Sequence, residues 1–434
     1  MSTFHPQTHA PVRPPLAVAF LARNGGAGGA ELLLAETLRV LDRGRCAPLL
    51  ICGAEGELPR RARALGIPVA LADLGRQCAL PLWPRRRLHA PHPGTLLGLA
   101  ALLRRARVDL IHSWTLETRN LGHLLGPLLR RPVVQGCQDL YYGPEFGALQ
   151  WWLLNHLPAR VLATSHAVAR SLRAGEALAP GRVAIIRPGI DCARSPLPGA
   201  GARAALRASL GIPDAAPVAG LVGRYCHVKG HDVFLEAMAE LARTFPRLAV
   251  VLVGAAVLPG DDREREIERR IHAAGLAGRV IRTGFRADAA TLIGALDVLV
   301  CASTQESFGL TLVEAGAAGV PVVATRCGGP EEIVVDQVTG LLVPVGDSAA
   351  LAAAVARLLA DPAKARAMGR AAAWHVRRHF DLRPMVARLT DLYQSVARGE
   401  RAGMRADLEA GADKDLPPAG AGIEPGSPLP APTP

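Results

Sequence analysis

Short apolar runs separated by helical patterns recur along most of this chain. Leu16–Leu21, Pro48–Cys52, Ile67–Leu71, Val108–His112, Pro132–Gly136, Val161–Ala163 and Val183–Ile186 read as strands. Helical spacing of apolar positions intervenes at Ala30–Leu41, Gly94–Ala106 and Ala167–Ala174. Strands alternating with helices predict a parallel, doubly wound sheet. The Pro/Gly-rich stretch Ser195–Ala202 interrupts the pattern, which then restarts. Val218–Val222, Ala249–Val253, Val280–Thr283, Val298–Cys301, Val322–Ala324 and Leu341–Val343 form a second set of strands. The α/β chain is therefore expected to hold two doubly wound domains, 15–196 and 197–383, facing each other across a cleft between carboxyl edges. A helix over 384–398 follows. Residues 1–14 and the Pro/Gly-rich tail 399–434 cannot pack a core and are expected to be disordered.

Composition narrows the class. A chain of 434 residues, 50% hydrophobic, suits two ordinary cores better than one. No apolar run approaches the roughly 20 residues that span a bilayer, and the start has neither the charged opening nor the cleavage site of a signal peptide. The eight cysteines are scattered, with no CxxC. That predicts reduced thiols and a cytoplasmic protein, with no zinc site.

Charge is uneven. Residues 1–200 hold 24 Arg, no Lys and 12 acidic residues, so the net charge of +12 belongs to this half. The clusters are Arg60-Arg61-Arg63, Arg85–Arg87, Arg104-Arg105-Arg107 and Arg130-Arg131. They fit either an anionic partner or Arg-rich, solvated helix faces. The apolar stretch Leu96–Leu103, which ends in cations, reads two ways. With Trp83 and Arg85–Arg87 it could rest on an acidic bilayer, or it is a sheet-covering helix with cations at its C-terminal end.

Three stretches carry candidate chemistry. Within Cys301–Gly329, Glu306 lies in a turn after a strand and Glu314 eight positions on in a helix. Between them, Phe308, Gly309 and Leu310 offer backbone N–H groups at a helix start, suited to an anion. Carboxylates there can each accept two hydrogen bonds from a sugar diol. Gly223-Arg224 with Lys229-Gly230 follows the first strand of the second half. Its two cations could hold a diphosphate. A Gly-rich loop, Gly25–Gly29, precedes the first helix; it fails the third glycine of a dinucleotide fingerprint and reads as a phosphate loop or a structural turn. His375/His379 on a helix, and His89/His92 flanking Ala90-Pro91 in a Pro-rich loop, have the default of ordinary surface histidines.

Taken together, these residues resemble glycosyltransferase family 4. Gly223-Arg224, Lys229-Gly230, Glu306–Leu310 and Glu314 match its signature, as do Gly319–Thr325, Gly328-Gly329, Glu332-Ile333 and Thr339–Val343. Gly28–Glu31 near the start matches as well, Asp109–Ser113 and Arg187–Asp191 are weaker echoes, and the likeness runs from about residue 16 to 395. The resemblance implies a GT-B fold: two Rossmann-like domains, the donor held mainly by the second, with the last helix crossing back. It implies a nucleoside-diphosphate sugar of UDP or GDP type as co-substrate, no cofactor and no metal. Transfer would retain configuration and go to a glycan, lipid or lipid-linked acceptor. It implies that Arg224 and Lys229 neutralise the diphosphate, Glu306 contacts the sugar, Glu314 holds the ribose, and Gly28, Gly29, Gly223, Phe308, Gly309 and Leu310 line the donor. The one DxD, Asp413-Lys414-Asp415, falls in the tail.

The chain departs from that family at Gln138-Asp139, where His-Asp is common, and at Trp114. Gln exchanges hydrogen bonds but takes no proton at neutral pH. Either the histidine's role is positional, or His112 substitutes, or the acceptor chemistry differs. Three activities fit the sequence: a transferase; a same-fold phosphorylase or epimerase; and a nucleotide-sugar-binding protein without transfer. The expected setting is cytoplasmic or peripheral at the inner face of the membrane, with no nucleic-acid partner.

Overall fold

The computed structural model describes residues 14–26, 28–75, 77–82, 86–140, 157, 159–176, 178, 180–195, 197–256 and 262–400. Trp83, Arg85, the first 13 residues and the tail from residue 401, with its Asp413-Lys414-Asp415, lie outside these. The chain divides into two compact units. The first comprises Met1–Gly136, Phe146–Val161 and Val386–Met404; the second comprises Cys137–Glu145, Leu162–Met385 and Arg405–Pro434.

The N-terminal strands are β1 (Leu16–Ala22), β2 (Cys46–Cys52), β3 (Val69–Leu71), β4 (Gln77–Leu82), β5 (Arg86–Pro91), β6 (Leu110–Ser113), β7 (Val133–Cys137), β8 (Arg160–Ala163) and β9 (Val183–Ile185). Seven of them form one sheet in the order β3-β2-β1-β6-β7-β8-β9, with β1 pairing β2 and β6 in parallel. The intervening helices are α1 (Gly29–Val40), α2 (Glu57–Ala64), α3 (Pro93–Arg105), α4 (Arg119–Leu129) and α5 (His166–Glu176). Ala19, Leu21, Ile51, Leu99, Leu103, Ile111, Leu121, Leu125 and Val133 make one buried cluster there. The alternation of apolar runs and amphipathic helices thus forms the sheet it predicts.

One stretch differs from its sequence reading. The stretch from His89 to His92 reads as a Pro-rich loop in the sequence, but His89, Ala90 and Pro91 belong to β5, antiparallel to β4 in a two-stranded sheet. Both strands of such a ribbon are edges, where a proline's missing N–H can face away from the partner.

In the second unit, β10 (Val218–Val222), β11 (Ala249–Val253), β12 (Val280–Gly284), β13 (Val298–Cys301), β14 (Val322–Thr325) and β15 (Gly340–Val343) run β12-β11-β10-β13-β14-β15, every pair parallel. Helices α6 (Ala200–Ser209), α7 (His231–Thr244), α8 (Arg263–Ala273), α9 (Leu310–Ala317), α10 (Ser348–Ala360) and α11 (Pro362–His379) belong with it. Buried clusters flank both faces: Phe234, Met238, Val250, Leu252 and Val355 in one, Val251, Leu299, Leu312, Val313 and Val376 in the other. The central strands β10, β11, β13 and β14 are buried on both sides, as parallel strands covered by helices must be, so they read as apolar runs rather than alternating ones, while the edge strand β12 is half-buried throughout. The last helix, α12 (Leu382–Ala397), begins in the second unit and from Val386 is part of the first.

Candidate functional site

Strand order decides which residues meet. The sequence of strands reverses between β10 and β13, so the loops leaving their carboxyl ends lie side by side, where open α/β sheets bind ligands. Gly230 has φ 62°, and a Cβ there would stand 2.0 Å from the Ala302 carbonyl oxygen. Only glycine permits so close an approach. The Thr304 N–H donates to the Val228 carbonyl at 2.8 Å, fixing the two loops together.

Lys229 and Glu306 meet at this junction. Lys229 Nζ is 2.5 Å from Glu306 Oε2, with side chains 20% and 12% exposed. Burial works against the ammonium, but the Glu306 carboxylate and its hydrogen bond outweigh that and hold Lys229 above its ordinary value. Ser303, almost fully buried, donates its hydroxyl to the same Oε2 at 3.2 Å and receives the Cys301 thiol at 3.4 Å. The Ser303 carbonyl is in turn bound by the Thr325 hydroxyl at 2.5 Å. Burial raises the Cys301 thiol and pushes Cys327 up to about 12, so both stay protonated beside the pair. Arg224, on the same β10 turn, is exposed and has no side-chain partner among the described residues.

Helix α9 starts at the next turn. Gly309 precedes it with φ 106°, a left-handed conformation that favours glycine. The N–H groups of Phe308, Gly309 and Leu310 have no acceptor among the described residues, as the first donors of a helix lack intrahelical partners. The loop is clamped from β14: Gly329 N–H donates to the Glu306 carbonyl at 2.8 Å, and a Cβ on Gly329 would lie 2.3 Å from the Phe308 oxygen. Glu314, one turn into α9, is half-buried and has no side-chain partner among the described residues. Desolvation pushes its carboxyl up to about 7. Around the start of α9 the structure thus sets a half-buried ion pair, backbone donors with no acceptor among the described residues and an acid whose carboxyl burial pushes up, with Arg224 on the turn after the neighbouring β10.

Other residues singled out from the sequence lie elsewhere. Gly28 caps α1, and a Cβ there would strike Glu31 Oε2 at 2.4 Å; Gly29 has open space. His112, on β6, is fully buried among Phe20, Trp114 and Tyr393. Its Nδ1 lies 2.6 Å from the Tyr393 hydroxyl, and burial lowers its pKa to about 3. Trp114 donates its indole N–H to the Ala30 carbonyl at 2.9 Å, which ties β6 to the first turn of α1. Gln138 and Asp139 follow β7, the first half-buried and the second exposed. His375, buried where an ordinary surface histidine was the expectation, and His379 have ring centroids 4.7 Å apart and tilted within α11, and among the described residues no cluster of three or more His, Cys, Asp or Glu could hold a metal. Glu332 accepts from the His166 and Ala167 N–H groups at 3.0 and 2.9 Å, capping α5, and lies 3.3 Å from Arg187.

Sequence reasoning missed Ser303. The available signal was a pair of hydroxyls, Ser303 and Thr304, between the apolar end of β13 and Glu306, with nothing to single out the first. Its significance appears only once the Lys229 loop is known to lie alongside.

Comparison with known proteins follows the same division. The profile of the glycosyl transferases group 1 family matches residues 202–374, and that of glycosyltransferase family 4 matches 27–194. The D-inositol 3-phosphate glycosyltransferase of Segniliparus rotundus is 35% identical over 242 residues, 55% of this chain and 53% of that protein. The lipopolysaccharide core biosynthesis mannosyltransferase LpsB of Rhizobium meliloti is 32% identical over 192 residues, 44% of this chain and 55% of its own. The chain spans about half the length of these curated relatives. The crystal structure of HepE from Anabaena in complex with UDP-glucose superposes with a TM-score of 0.75 at 26% identity, covering 88% of this chain and all of that one.

Proposed function

The chain belongs to glycosyltransferase family 4, and on that footing we propose that it moves a sugar from a nucleoside-diphosphate sugar to a glycan, lipid or lipid-linked acceptor. The observation that carries this reading is the Lys229–Glu306 pair at 2.5 Å beside the free N–H groups of Phe308, Gly309 and Leu310. A uridine diphosphate donor is favoured by the UDP-glucose complex of HepE. The retaining outcome and freedom from metal are part of the proposal, as is a cytoplasmic or peripheral membrane setting.

The chemistry follows from charge. Breaking the bond between the sugar C1 and the diphosphate oxygen leaves negative charge on the leaving group. In this reading Arg224, Lys229 and the backbone donors of α9 receive it, as preorganised cations and dipoles do most effectively. Arg224 offers a planar fork and Lys229 a point charge. Glu306 has one oxygen committed to Lys229 and Ser303, which leaves the other for a sugar hydroxyl. That division suits a positioning carboxylate better than a nucleophile. Glu314 takes the ribose hydroxyls. The acceptor oxygen then bonds to C1 on the face the phosphate leaves, and its proton passes to the leaving phosphate oxygen. Such a step needs no protein base, consistent with Gln138 in place of histidine and with His112 buried and neutral. Gly28 and Gly29 are proposed as donor-binding backbone, and Gln138 and Asp139 as acceptor-side groups.

The test is incubation with UDP-, GDP- and ADP-sugars, with and without lipid and glycan extracts, reading nucleotide release and labelled product. Release that depends on acceptor is the expected result. Binding without release under every acceptor would instead make this a nucleotide-sugar-binding protein, and release driven by inorganic phosphate would make it a phosphorylase.

A further inference from the structure

The outward side of α3 is unusual in what it lacks. Pro93, Gly94, Leu97, Gly98 and Ala101 are all exposed, followed by exposed Arg104 and Arg105. Their spacing of three and four places them on one face, and α3 contains no acidic residue. A helix over a soluble sheet ordinarily turns polar residues outward, yet Leu97 is 64% exposed. The neighbouring α4 packs on α3 and ends in exposed Pro127 and Leu128. The Arg104 guanidinium donates to the Leu128 carbonyl at 3.1 Å, joining the two apolar outcrops into one surface. Arg105, Arg107, Arg130 and Arg131 are exposed around it. The acid beside them is Asp109, 3.8 Å from Arg131.

We infer that this α3–α4 surface docks on an anionic phospholipid bilayer, with Leu97, Pro127 and Leu128 entering the headgroup boundary and the arginines on lipid phosphates. The helix dipole accounts for cations at the C-terminal ends of α3 and α4. It does not account for an outward face of leucine, glycine and alanine. A nucleic acid would use the arginines but offers no apolar phase for those side chains, whereas a bilayer takes both. Arginine suits the task because its fork binds phosphate oxygens in pairs. The surface lies within the first unit and shares no residue with the donor site, so it stands or fails independently of the transferase reading.

Co-sedimentation of the full chain with vesicles tests it. Vesicles of equimolar phosphatidylglycerol and phosphatidylcholine are expected to carry the protein down, and pure phosphatidylcholine vesicles to leave it in solution. Raising salt from about 0.1 M to about 1 M, which shortens the screening length from about 10 Å to about 3 Å, should release most of it. The Arg104→Glu/Arg105→Glu/Arg130→Glu variant should partition at least about tenfold less. The Leu97→Ser/Leu128→Ser variant should partition several-fold less with an unchanged melting temperature. Heparin binding, run in parallel, separates a lipid surface from a general polyanion site. If the leucine variant bound vesicles as the parent does, or if the parent stayed in solution with the anionic vesicles, the inference would be overturned.

Discussion

Glu314 carries the sharpest prediction at the level of single residues. Its carboxyl, pushed up to about 7 by desolvation, is largely protonated below neutrality and ionised above it. Ribose hydroxyls donate best to the ionised form, so donor affinity should rise by about tenfold as pH goes from about 6 to about 8. Titration calorimetry at the two values checks this, and Glu314→Gln should flatten the dependence. The sign for stability is opposite. A folded-state value above the ordinary one means the native protein holds that proton more firmly than the unfolded chain. The unliganded protein should therefore lose stability as pH rises from the ordinary carboxylate range to about 7, and lose nothing more through this group beyond it. Ser303 offers a second test. Ser303→Ala removes one hydrogen bond to Glu306 and leaves the Lys229 pair intact. Turnover should fall while the nucleotide affinity, read with UDP alone, stays near its parent value. That cations follow one strand and acids another was legible in the sequence, because the apolar runs of β10 and β13 mark where those turns begin. That Glu306 spends an oxygen on Lys229 was not, since 77 residues separate the two and only the strand order brings them together.

Among the elements, the loops after β10 and β13 depend on two glycines for different reasons. A side chain at Gly230 would meet the Ala302 carbonyl at 2.0 Å, so the loops themselves would have to separate. At Gly309 the nearest atoms are side-chain carbons, Leu312 Cδ1 at 3.1 Å and Glu306 Cγ at 3.4 Å, and the cost is chiefly the left-handed φ. Gly309→Ala should cost about 1–3 kcal/mol, and Gly230→Ala more; thermal unfolding of the two variants orders them. The strands were readable because buried parallel strands are continuous apolar runs. The β4–β5 ribbon was not. Pro81 and Pro91 mark a loop by the usual rules, and only its being two edges, with Gln77 opposite Pro91, accommodates them as strand residues.

At the scale of the whole molecule, the last helix among the described residues, α12, takes part in the packing of the first unit. Tyr393 is fully buried there, and its hydroxyl meets His112 Nδ1 at 2.6 Å, while Arg45 reaches Asp391 and Gln394 at 2.7 Å each. Removing one partner of a buried hydrogen bond leaves the other's desolvation uncompensated, so Tyr393→Phe should cost about 1–3 kcal/mol. A melting temperature equal to the parent's would show that this contact holds nothing. The fold class was evident from the sequence because alternation repeats over the full length. The part played by His112 was not, since a histidine ending an apolar strand reads equally as a base or as a core residue. The central claim concerns how Lys229 and Glu306 work at the donor. Turnover of a UDP-sugar with acceptor extract, measured on the parent, Lys229→Ala and Glu306→Ala in the presence of a chelator, addresses it most directly. The account predicts undiminished parent activity under chelation and at least a tenfold loss in each variant, about 1.4 kcal/mol of barrier. Parent activity abolished by the chelator, or near-parental turnover in both variants, would contradict it.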